Sequence, residues 1–327
     1  MSKVRWGLLS TANINKMLIP AIRRAERGEL AAVASRSQAS ADAYAADWGI
    51  ATAFGSYEAM LASDAVDAVY ISLPNRLHAE WSIKAMRAGK HVLCEKPFAL
   101  NVGDVDRVNE VAQSTGRVVA EAFMYRHHSQ TKIAGDFVRS GRLGEVTVIR
   151  GVFNFKMGSR ENVRLVPELG GGALWDIGCY PVSVAQFLLG GPPMWVFGDQ
   201  WLGASGVDEV FNGQLHYADG RIAQISCSFR TPFHTFVEVL GTNGRLTMSE
   251  PFRMDLGGNR LLFYAGEGEP EEIPVPEEDL YLGEVKDMHA AILDGAAPYL
   301  SLEETRNHIR TIVALYESAA NHRPVRL

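Results

Sequence analysis

The sequence has few cysteines and no paired ones. Cys94, Cys179 and Cys227 are far apart, and none belongs to a CxxC pair. An odd, widely spaced set argues against a disulfide framework and against a structural zinc site. We therefore expect each cysteine to be a small buried apolar residue of a cytoplasmic protein.

The sequence also lacks long apolar runs and blocks of like charge. No apolar segment reaches the roughly 20 residues that a membrane-spanning helix needs, and regular structure is predicted from Lys3 onward, which leaves no space for a signal peptide. The net charge is −6, with acidic and basic residues interspersed. We expect neither a membrane nor a nucleic acid as partner. A chain of 327 residues is long enough for two domains.

The first 123 residues alternate strands with helices. The segment Val66–Leu73 has almost no polar face, as is typical of a strand that helices cover on both sides. The predicted strands are Lys3–Leu9, Leu30–Ser35, a short one near Phe54, Val66–Leu73, His91–Glu95 and Val118–Ala122. The predicted helices are Ile14–Ala25, Ala39–Trp48, Leu77–Ala88 and Val102–Ser114. This alternation indicates a doubly wound parallel sheet over residues 1–123.

Residues 124–327 have a different pattern, with strand following strand from Glu145 to about Tyr264. Phe211–Tyr217 alternates apolar and polar residues, as a half-exposed antiparallel strand does. The other predicted features are a helix over Gly172–Leu188 with a kink or boundary at Pro181, a surface loop over residues 266–279, and helices near Leu282–Leu293 and Leu302–Glu317. We expect a C-terminal α/β domain with a large, mostly antiparallel open sheet. A second copy of the chain is the simplest cover for its open face.

The turn after the first strand lies where a dinucleotide-binding turn belongs. It consists of Gly7, Leu8, Leu9, Ser10, Thr11, Ala12, Asn13 and Ile14. Small residues there let the backbone approach a pyrophosphate, and the following helix N-terminus supplies amides. The GxGxxG pattern is incomplete, with Leu9 and Ala12 at two glycine positions. An ordinary tight turn is therefore the alternative.

The end of the second strand carries no acid. Ser35, Arg36 and Ser37 stand where an NAD-binding protein usually places an aspartate or glutamate for the ribose hydroxyl. These three residues could instead hold the 2′-phosphate of NADP. The alternative is a solvated loop arginine.

Two further clusters follow buried strands, at the edge of the sheet where ligands bind. The first contains Leu73, Pro74, Asn75 and His78, in which Asn75 could simply cap a helix and His78 could be a buried helix residue.

The second cluster is Cys94-Glu95-Lys96-Pro97. A lysine at this position can handle a proton or polarise a carbonyl. The alternative is a surface turn.

The last cluster opens the predicted helix of the second domain. Three glycines, 170–172, precede it, and Asp176 and Tyr180 are four residues apart on it. A carboxylate and a phenol would then project together from the edge of the helix. A structural aspartate beside a packed tyrosine is the alternative.

Together these segments resemble the Gfo/Idh/MocA oxidoreductases. The family shows a nucleotide turn, P-N-x-x-H, E-K-P and G-G-G-x-x-x-D-x-G-x-[HY], in this order. This chain has the turn at 7–14 and the other three motifs at 74–78, 95–97 and 170–180, respectively. EAFMYRHH at 121–128 and tyrosine at 180 are similar to the dimeric dihydrodiol dehydrogenase and glucose–fructose oxidoreductase branch. The resemblance covers nearly the whole chain. It implies a Rossmann domain followed by an open-sheet domain, and it allows the final helix to pack back on the first domain.

The resemblance also implies roles for individual residues. It makes Lys96 the catalytic lysine and Tyr180 the general acid and base, while Asp176 positions the substrate. Glu95 and Lys96 border the nicotinamide, and Arg164 and Tyr281 correspond to cofactor contacts. Arg126 is expected either to face the substrate or to pair with Glu121.

We therefore expect hydride transfer between NADP(H), with NAD as second choice, and a sugar, polyol or cyclic diol. Two alternatives exist within the same fold. One is an NAD-dependent glycosidase, which generally has histidine where this chain has Tyr180. The other is a non-catalytic dinucleotide-binding regulator, against which the presence of both Lys96 and Tyr180 argues.

Overall fold

The computed structural model describes residues 2–159, 161–266 and 268–327, which form two compact units. The first unit contains the residues up to Met124 together with Tyr281–Arg306, and the second contains Tyr125–Leu280 and the chain from Asn307 to the end. The domain ranges 1–123 and 124–327 stay a prediction.

The first unit is built on a six-stranded parallel sheet. Its strands are β1 (Val4–Leu9), β2 (Gly28–Ala34), β3 (Thr52–Phe54), β4 (Ala68–Ile71), β5 (His91–Glu95) and β6 (Val119–Ala122), in the order β3-β2-β1-β4-β5-β6. All four residues of β4 are buried, because apolar side chains on both faces meet covering helices. The predicted doubly wound parallel sheet is confirmed.

The helices of the chain alternate with the strands in the first unit and are sparse in the second. They are α1 (Asn15–Arg24), α2 (Gln38–Trp48), α3 (Tyr57–Leu61), α4 (His78–Arg87), α5 (Val102–Thr115), α6 (Met124–His127), α7 (Ser129–Arg139), α8 (Cys179–Leu189), α9 (Leu282–Asp294) and α10 (Leu302–Asn321). The sequence had not predicted α3, α6 or α7. A 3₁₀ turn over Asn75–Leu77 precedes α4, and the N-cap position of α4 is Leu77.

The second unit contains a nine-stranded, mostly antiparallel sheet, as predicted. Its strands are β7 (Val146–Asn154), β8 (Trp195–Leu202), β9 (Asp208–His216), β10 (Ile222–Ser228), β11 (His234–Gly241), β12 (Gly244–Ser249), β13 (Leu261–Tyr264), β14 (Glu271–Ile273) and β15 (Val325–Arg326). Their order is β14-β13-β12-β11-β7-β10-β9-β8-β15, and β7 and β10 are the parallel pair at the centre.

One face of this sheet packs against α8. A Cβ at Gly151 of β7 would lie 2.8 Å from Cβ of Pro181, so glycine is needed for this close approach. Side chains alternate across a strand, so Val148 points away from α8. Leu240 and Ile222 flank Val148 on neighbouring strands, and all three are partly exposed. Within the second unit, these three residues form an apolar row on the open face.

Two local predictions about the second unit were wrong. The segment 266–279 is not entirely loop, because Glu271–Ile273 forms the edge strand β14. Arg142 pairs with Glu271 at 2.5 Å and Arg260 with Glu272 at 2.8 Å, which offsets the repulsion between adjacent acids.

The second wrong prediction placed a kink or boundary at Pro181 in the helix over Gly172–Leu188. A π-helical turn over Leu174–Gly178 leads into α8 at Cys179. Pro181 then occupies the first turn of the α-helix, where a missing N–H is tolerated.

All three cysteines are buried, as predicted, and none of them forms a disulfide. None of the helices in the described part of the chain combines the length and apolar character that crossing a bilayer requires. Among the same residues, no group of His, Cys, Asp or Glu side chains is arranged to hold a metal ion.

Candidate active site

The turn after β1 has a fixed shape because its buried polar groups bond to one another. Ser10 has a φ of 147°, which is unusual for a residue with a side chain. Its hydroxyl lies 2.8 Å from Oγ of Ser72 and accepts from the Ala12 amide at 3.1 Å. Asn15 Nδ2 donates to the Ser10 carbonyl at 2.8 Å, and Ser72 Oγ donates to Asn15 Oδ1 at 2.7 Å.

The N-terminus of α1 fits an anionic cofactor group. Ile14 stands at its N-cap, with no side-chain cap and no acidic residue in the first turn. The chain therefore does not neutralise the positive end of this helix with a carboxylate of that first turn. Leu9, Thr11, Ala12 and Asn13 form the backbone that leads into it. Gly7 has a different reason to be glycine, because a Cβ there would lie 2.8 Å from Met60 Sδ.

The end of β2 offers donors beside another helix N-terminus. Ser35 is buried and donates its amide to the Phe54 carbonyl at 3.0 Å. Arg36 is exposed, and its charge opposes the rise that burial gives to the pKa of Tyr57. Ser37 caps α2 by accepting from the Ser40 amide at 3.4 Å, which leaves its hydroxyl proton for another acceptor. These side chains fit a phosphate group.

His78 connects the first two predicted clusters inside the first unit. It is buried, with Nε2 at 2.7 Å from the Leu73 carbonyl and Nδ1 at 2.8 Å from the Pro97 carbonyl. Burial lowers the pKa of His78, while the two carbonyl contacts act in the opposite direction. A neutral imidazole has one N–H, and the imidazolium can donate to both carbonyls. His78 thus ties the Pro74 loop to the segment that carries Lys96.

A second contact fixes the same segment from the other side. The buried Glu121 carboxylate accepts from the Phe98 amide at 3.0 Å and from the Thr305 hydroxyl at 3.0 Å. Glu95 and Lys96 are both half-buried at the end of β5, and the Tyr70 hydroxyl donates to Glu95. Burial, followed by the nearby Glu95 charge, raises the pKa of Tyr70 well above its usual range. Lys96 therefore extends from a backbone held at Pro97 and Phe98.

His78→Asn tests whether this histidine positions Lys96. Asparagine cannot bridge both carbonyls, so we expect kcat to fall, by up to roughly 100-fold for a displacement near 1 Å. The KM for NADP should change far less. His322→Asn, at an exposed residue, is the matched control. If His78 contacts the cofactor directly, as the sequence predicted, KM for NADP will rise with kcat largely kept.

In the second unit, the π-helical turn brings the predicted acid and arginine together. Arg164 Nε donates to Oδ2 of Asp176 at 2.6 Å. The Asp176 side chain is 12% exposed and that of Arg164 is 43% exposed, so the pair lies partly open to solvent. The sequence had assigned these two residues to different partners, the cofactor and the substrate.

Aromatic rings surround Tyr180, which is buried at the start of α8. Its ring centroid lies 5.6 Å from that of Tyr125, 5.2 Å from Phe153 and 5.3 Å from Phe252. These contacts hold the phenol ring in one orientation. Arg126 is also buried, with its guanidinium 4.2 Å from the Phe187 ring centroid. Tyr281, in the first unit, is buried directly before α9.

Asp208 anchors the beginning of the π-helical turn, and sequence reasoning missed it. Its carboxylate accepts from the Leu174 amide at 2.7 Å and from the Tyr316 hydroxyl at 2.8 Å. Burial raises its pKa to about 7. A Cβ at Gly172 would lie 2.2 Å from Asp208 Oδ1, so the third glycine of the triplet makes room for this anchor. Nothing in the local sequence distinguishes Asp208 from a surface acid.

Two family models match the chain. The model "Oxidoreductase family, NAD-binding Rossmann fold" covers residues 4–123, and the GFO/IDH/MocA C-terminal domain covers residues 132–247. The chain belongs to the Gfo/Idh/MocA oxidoreductase family. The resemblance inferred from the sequence motifs is thereby confirmed.

Characterised relatives match over almost their full length. D-xylose 1-dehydrogenase (NADP(+)) 2 of Haloferax volcanii is 40% identical over 98% of this chain and 99% of its own. Aldose-aldose oxidoreductase from Caulobacter crescentus, solved with glycerol, superposes with a TM-score of 0.92 at 26% identity, over 99% of this chain and 100% of that one. A 3-ketoreductase from Actinomadura kijaniata, solved with NADP and TDP-benzene, gives 0.91 at 29% identity, over 97% and 98%.

Proposed function

We propose that the protein transfers a hydride between NADP(H) and a hydroxyl or ketone carbon of a sugar, polyol or cyclic diol. It is an NAD(P)-dependent oxidoreductase of the CH–OH class, and NADP is its cofactor, with NAD as a weaker substitute. The observation that carries the proposal is the phenol of Tyr180 held among aromatic rings, directly after an Asp176 paired with Arg164. The relatives named above act on sugars or reduce a ketone, which supports this substrate class.

The chain's own residues bind, orient and manage the proton. NADP supplies or accepts the hydride when bound. Tyr180 gives a proton to the substrate oxygen during reduction and takes it back during oxidation. Lys96 supplies an ammonium that can polarise a carbonyl, and Asp176 positions the sugar by accepting from its hydroxyls. Arg126 is a candidate substrate contact.

The relatives support the choice of Lys96 and Tyr180. Solved forms of the Actinomadura kijaniata 3-ketoreductase include a lysine-to-alanine and a tyrosine-to-phenylalanine variant. The two altered positions in that enzyme are separated by as many residues as Lys96 and Tyr180 are here. We infer that Lys96 and Tyr180 are the corresponding pair.

Several residues of the first unit fit the cofactor. The turn from Gly7 to Ile14 would hold the pyrophosphate at the open N-terminus of α1. The cluster of Ser35, Arg36 and Ser37 would hold the 2′-phosphate. The nicotinamide half would lie at the carboxyl edge of the sheet. Leu73, Pro74 and Asn75 follow β4 there, Glu95 is the last residue of β5, and Lys96 comes directly after it. Arg164 and Tyr281 are further candidate contacts, and His78 acts through the backbone that it holds.

A panel of aldoses, ketoses and cyclic diols tests the function. The enzyme with NADP⁺ should produce NADPH absorbance with at least one sugar or diol, or consume NADPH with the matching ketone. A glycosidase would instead release a leaving group with no net change in NADPH. A regulator would bind NADP and change no absorbance with any compound. Either of these two results would contradict the proposed oxidoreductase activity.

We also propose that the protein is a cytoplasmic homodimer or larger homo-oligomer. The supporting observation is the open face of the nine-stranded sheet, where Leu240, Val148 and Ile222 form an apolar row. Beside this row, Glu238 lies 3.2 Å from Arg150 and 3.7 Å from Arg245. Such a mixture of apolar and paired charged groups suits a symmetric interface.

Val148→Glu tests this assembly. A carboxylate buried without a partner in an interface is costly, so the dissociation constant of the dimer should rise at least about tenfold. Light scattering on the wild type should give a multiple of the 35.9 kDa chain mass, and the variant should approach that mass itself. Leu256→Glu, at a residue 55% exposed in a 3₁₀ turn, is the control. A monomeric wild type at micromolar concentration would refute the proposal.

A further inference from the structure

A cavity opens at the amino-terminal edge of the six-stranded sheet. The candidate cofactor residues follow the carboxyl ends of the same strands, so this cavity is at the opposite edge. Its volume is about 360 Å³. The lining residues are Lys3, Val4, Arg5, Asp64, Val66, Asp67, Gly89, Lys90, His91, Arg117, Ile292 and Leu293, all in the first unit.

The lining carries more positive than negative charge. Arg5 is neutralised by Asp67, which accepts from Arg5 Nε at 3.0 Å and from Arg5 Nη2 at 2.6 Å. The other basic groups of the lining are Lys3, Lys90 and Arg117, and the only other acid of the lining is Asp64; the Lys90 charge also helps to lower the pKa of Asp67. The whole chain has a net charge of −6, so this local excess of positive charge is not a property of the general surface.

His91 and Arg117 face each other as two donors. The Val118 amide donates to Nδ1 of His91 at 2.9 Å, so a neutral His91 carries its proton on Nε2. Burial, and then the Arg117 charge, lowers the pKa of His91 to about 4, which keeps the ring neutral near pH 7. Nε2 of His91 lies 3.4 Å from Nη1 of Arg117. Because Nε2 of His91 and Nη1 of Arg117 are both donors, they do not satisfy each other, and a ligand oxygen placed between them could accept from both.

Lys90 adds a partly buried ammonium to the same wall. The residue is 8% exposed, and Nζ donates to the Ser63 carbonyl at 2.7 Å. An ammonium has three N–H donors and strongly prefers an anion when it is removed from water. Arg117 itself is held by two long contacts, from Nε to the Thr115 carbonyl and from Nη1 to the Gly89 carbonyl, each at 3.4 Å. Its guanidinium can therefore reorient toward a ligand at little cost.

We propose that this cavity is a second anion site, which binds the phosphate group of inorganic phosphate or of a small phosphorylated metabolite. Phosphate oxygens accept from the Arg117 guanidinium, from Nε2 of His91 and from the Lys90 ammonium. Ile292 and Leu293, which line the cavity and are partly exposed, give an attached organic group an apolar surface. The site is separate from the proposed hydride-transfer site and does not depend on it.

Titration calorimetry of the enzyme saturated with NADP⁺ tests the proposal, because bound NADP⁺ fills the cofactor's own phosphate sites. Inorganic phosphate, titrated at constant ionic strength, should bind once per chain. Removing one charge-assisted contact should weaken that binding about tenfold or more in Arg117→Gln. Arg87→Gln, at an exposed residue of α4 outside the cavity, should bind phosphate as the wild type does.

A second titration identifies the source of the phosphate. A sugar phosphate that binds more tightly than inorganic phosphate, with the same loss in Arg117→Gln, assigns the site to a phosphorylated metabolite; equal affinities assign it to inorganic phosphate. Circular dichroism of Arg117→Gln checks that it is folded. If phosphate does not saturate the NADP⁺-loaded wild type, or binds equally to both arginine variants, the proposal is wrong.

Discussion

Tyr180→Phe is expected to lower kcat by roughly 10²–10⁴-fold, because it removes the phenolic proton and leaves the ring in place. Phenylalanine keeps the contacts with Tyr125, Phe153 and Phe252, so the fold and NADP binding should persist. Steady-state rates with the sugar identified by the panel, together with fluorescence titration of NADPH, measure the two effects separately. Tyr264→Phe, in β13 next to the edge strand of the nine-stranded sheet, is the matched control and should retain full activity.

Lys96→Ala should lower kcat by a comparable factor, because the ammonium that polarises the substrate carbonyl is removed. Lys84→Ala is its control, because Lys84 is an exposed residue of α4 whose ammonium pairs with Glu80. Near-normal turnover in both Lys96→Ala and Tyr180→Phe would show that this pair does not manage the proton.

NADP(H) is expected to exceed NAD(H) in kcat/KM by at least about tenfold, because a charged hydrogen bond from Arg36 to the 2′-phosphate contributes about 1.5–3 kcal/mol before solvent screening. No acid at the end of β2 repels that phosphate. Ser35→Asp combined with Arg36→Ala should invert the preference, since the new carboxylate can accept from the ribose hydroxyl and repels a phosphate.

The single variant Arg36→Ala isolates the contribution of the arginine to this cofactor preference. Arg36→Ala alone should reduce the ratio of the two kcat/KM values toward unity, while kcat with saturating NADP⁺ changes little. Arg24→Ala, which alters an arginine in the last turn of α1, should leave the ratio as it is. A wild type that already favours NAD⁺, or an unchanged ratio in Arg36→Ala, would show that Arg36 does not bind the 2′-phosphate.

The parallel sheet could be predicted because its strands follow strong local patterns. A strand buried on both faces, such as β4, is a continuous apolar run, and Gly49 closes α2 with a φ of 57°. The short edge strand β14 was unpredictable for the opposite reason. β14 is acidic, and it is stabilised by Arg260, 12 residues before Glu272, and by Arg142, which lies 129 residues before Glu271. No window of local sequence contains that information.

Some residues of the candidate site could likewise be predicted from local sequence, and others could not. Motif spacing indicated Lys96, Asp176 and Tyr180, because these residues carry the proposed chemistry. The groups that hold their backbone come from elsewhere in the chain. Asp208 bonds to the Leu174 amide from a separate strand, and Glu121 bonds to the Phe98 amide. Contacts of this kind depend on which strands become neighbours, and the chain order alone does not specify them.

The π-helical turn over Leu174–Gly178 has a consequence for insertions and deletions in this family. A π turn contains one residue more than the α turn it replaces. Deleting one residue there would restore the α-helical repeat and rotate everything before it by about 100° relative to α8. The angular position of Asp176 and its partner Arg164 around the helix axis, relative to Tyr180, would then change. Relatives that keep both residues should therefore tolerate changes of identity within this turn and show no gap in it.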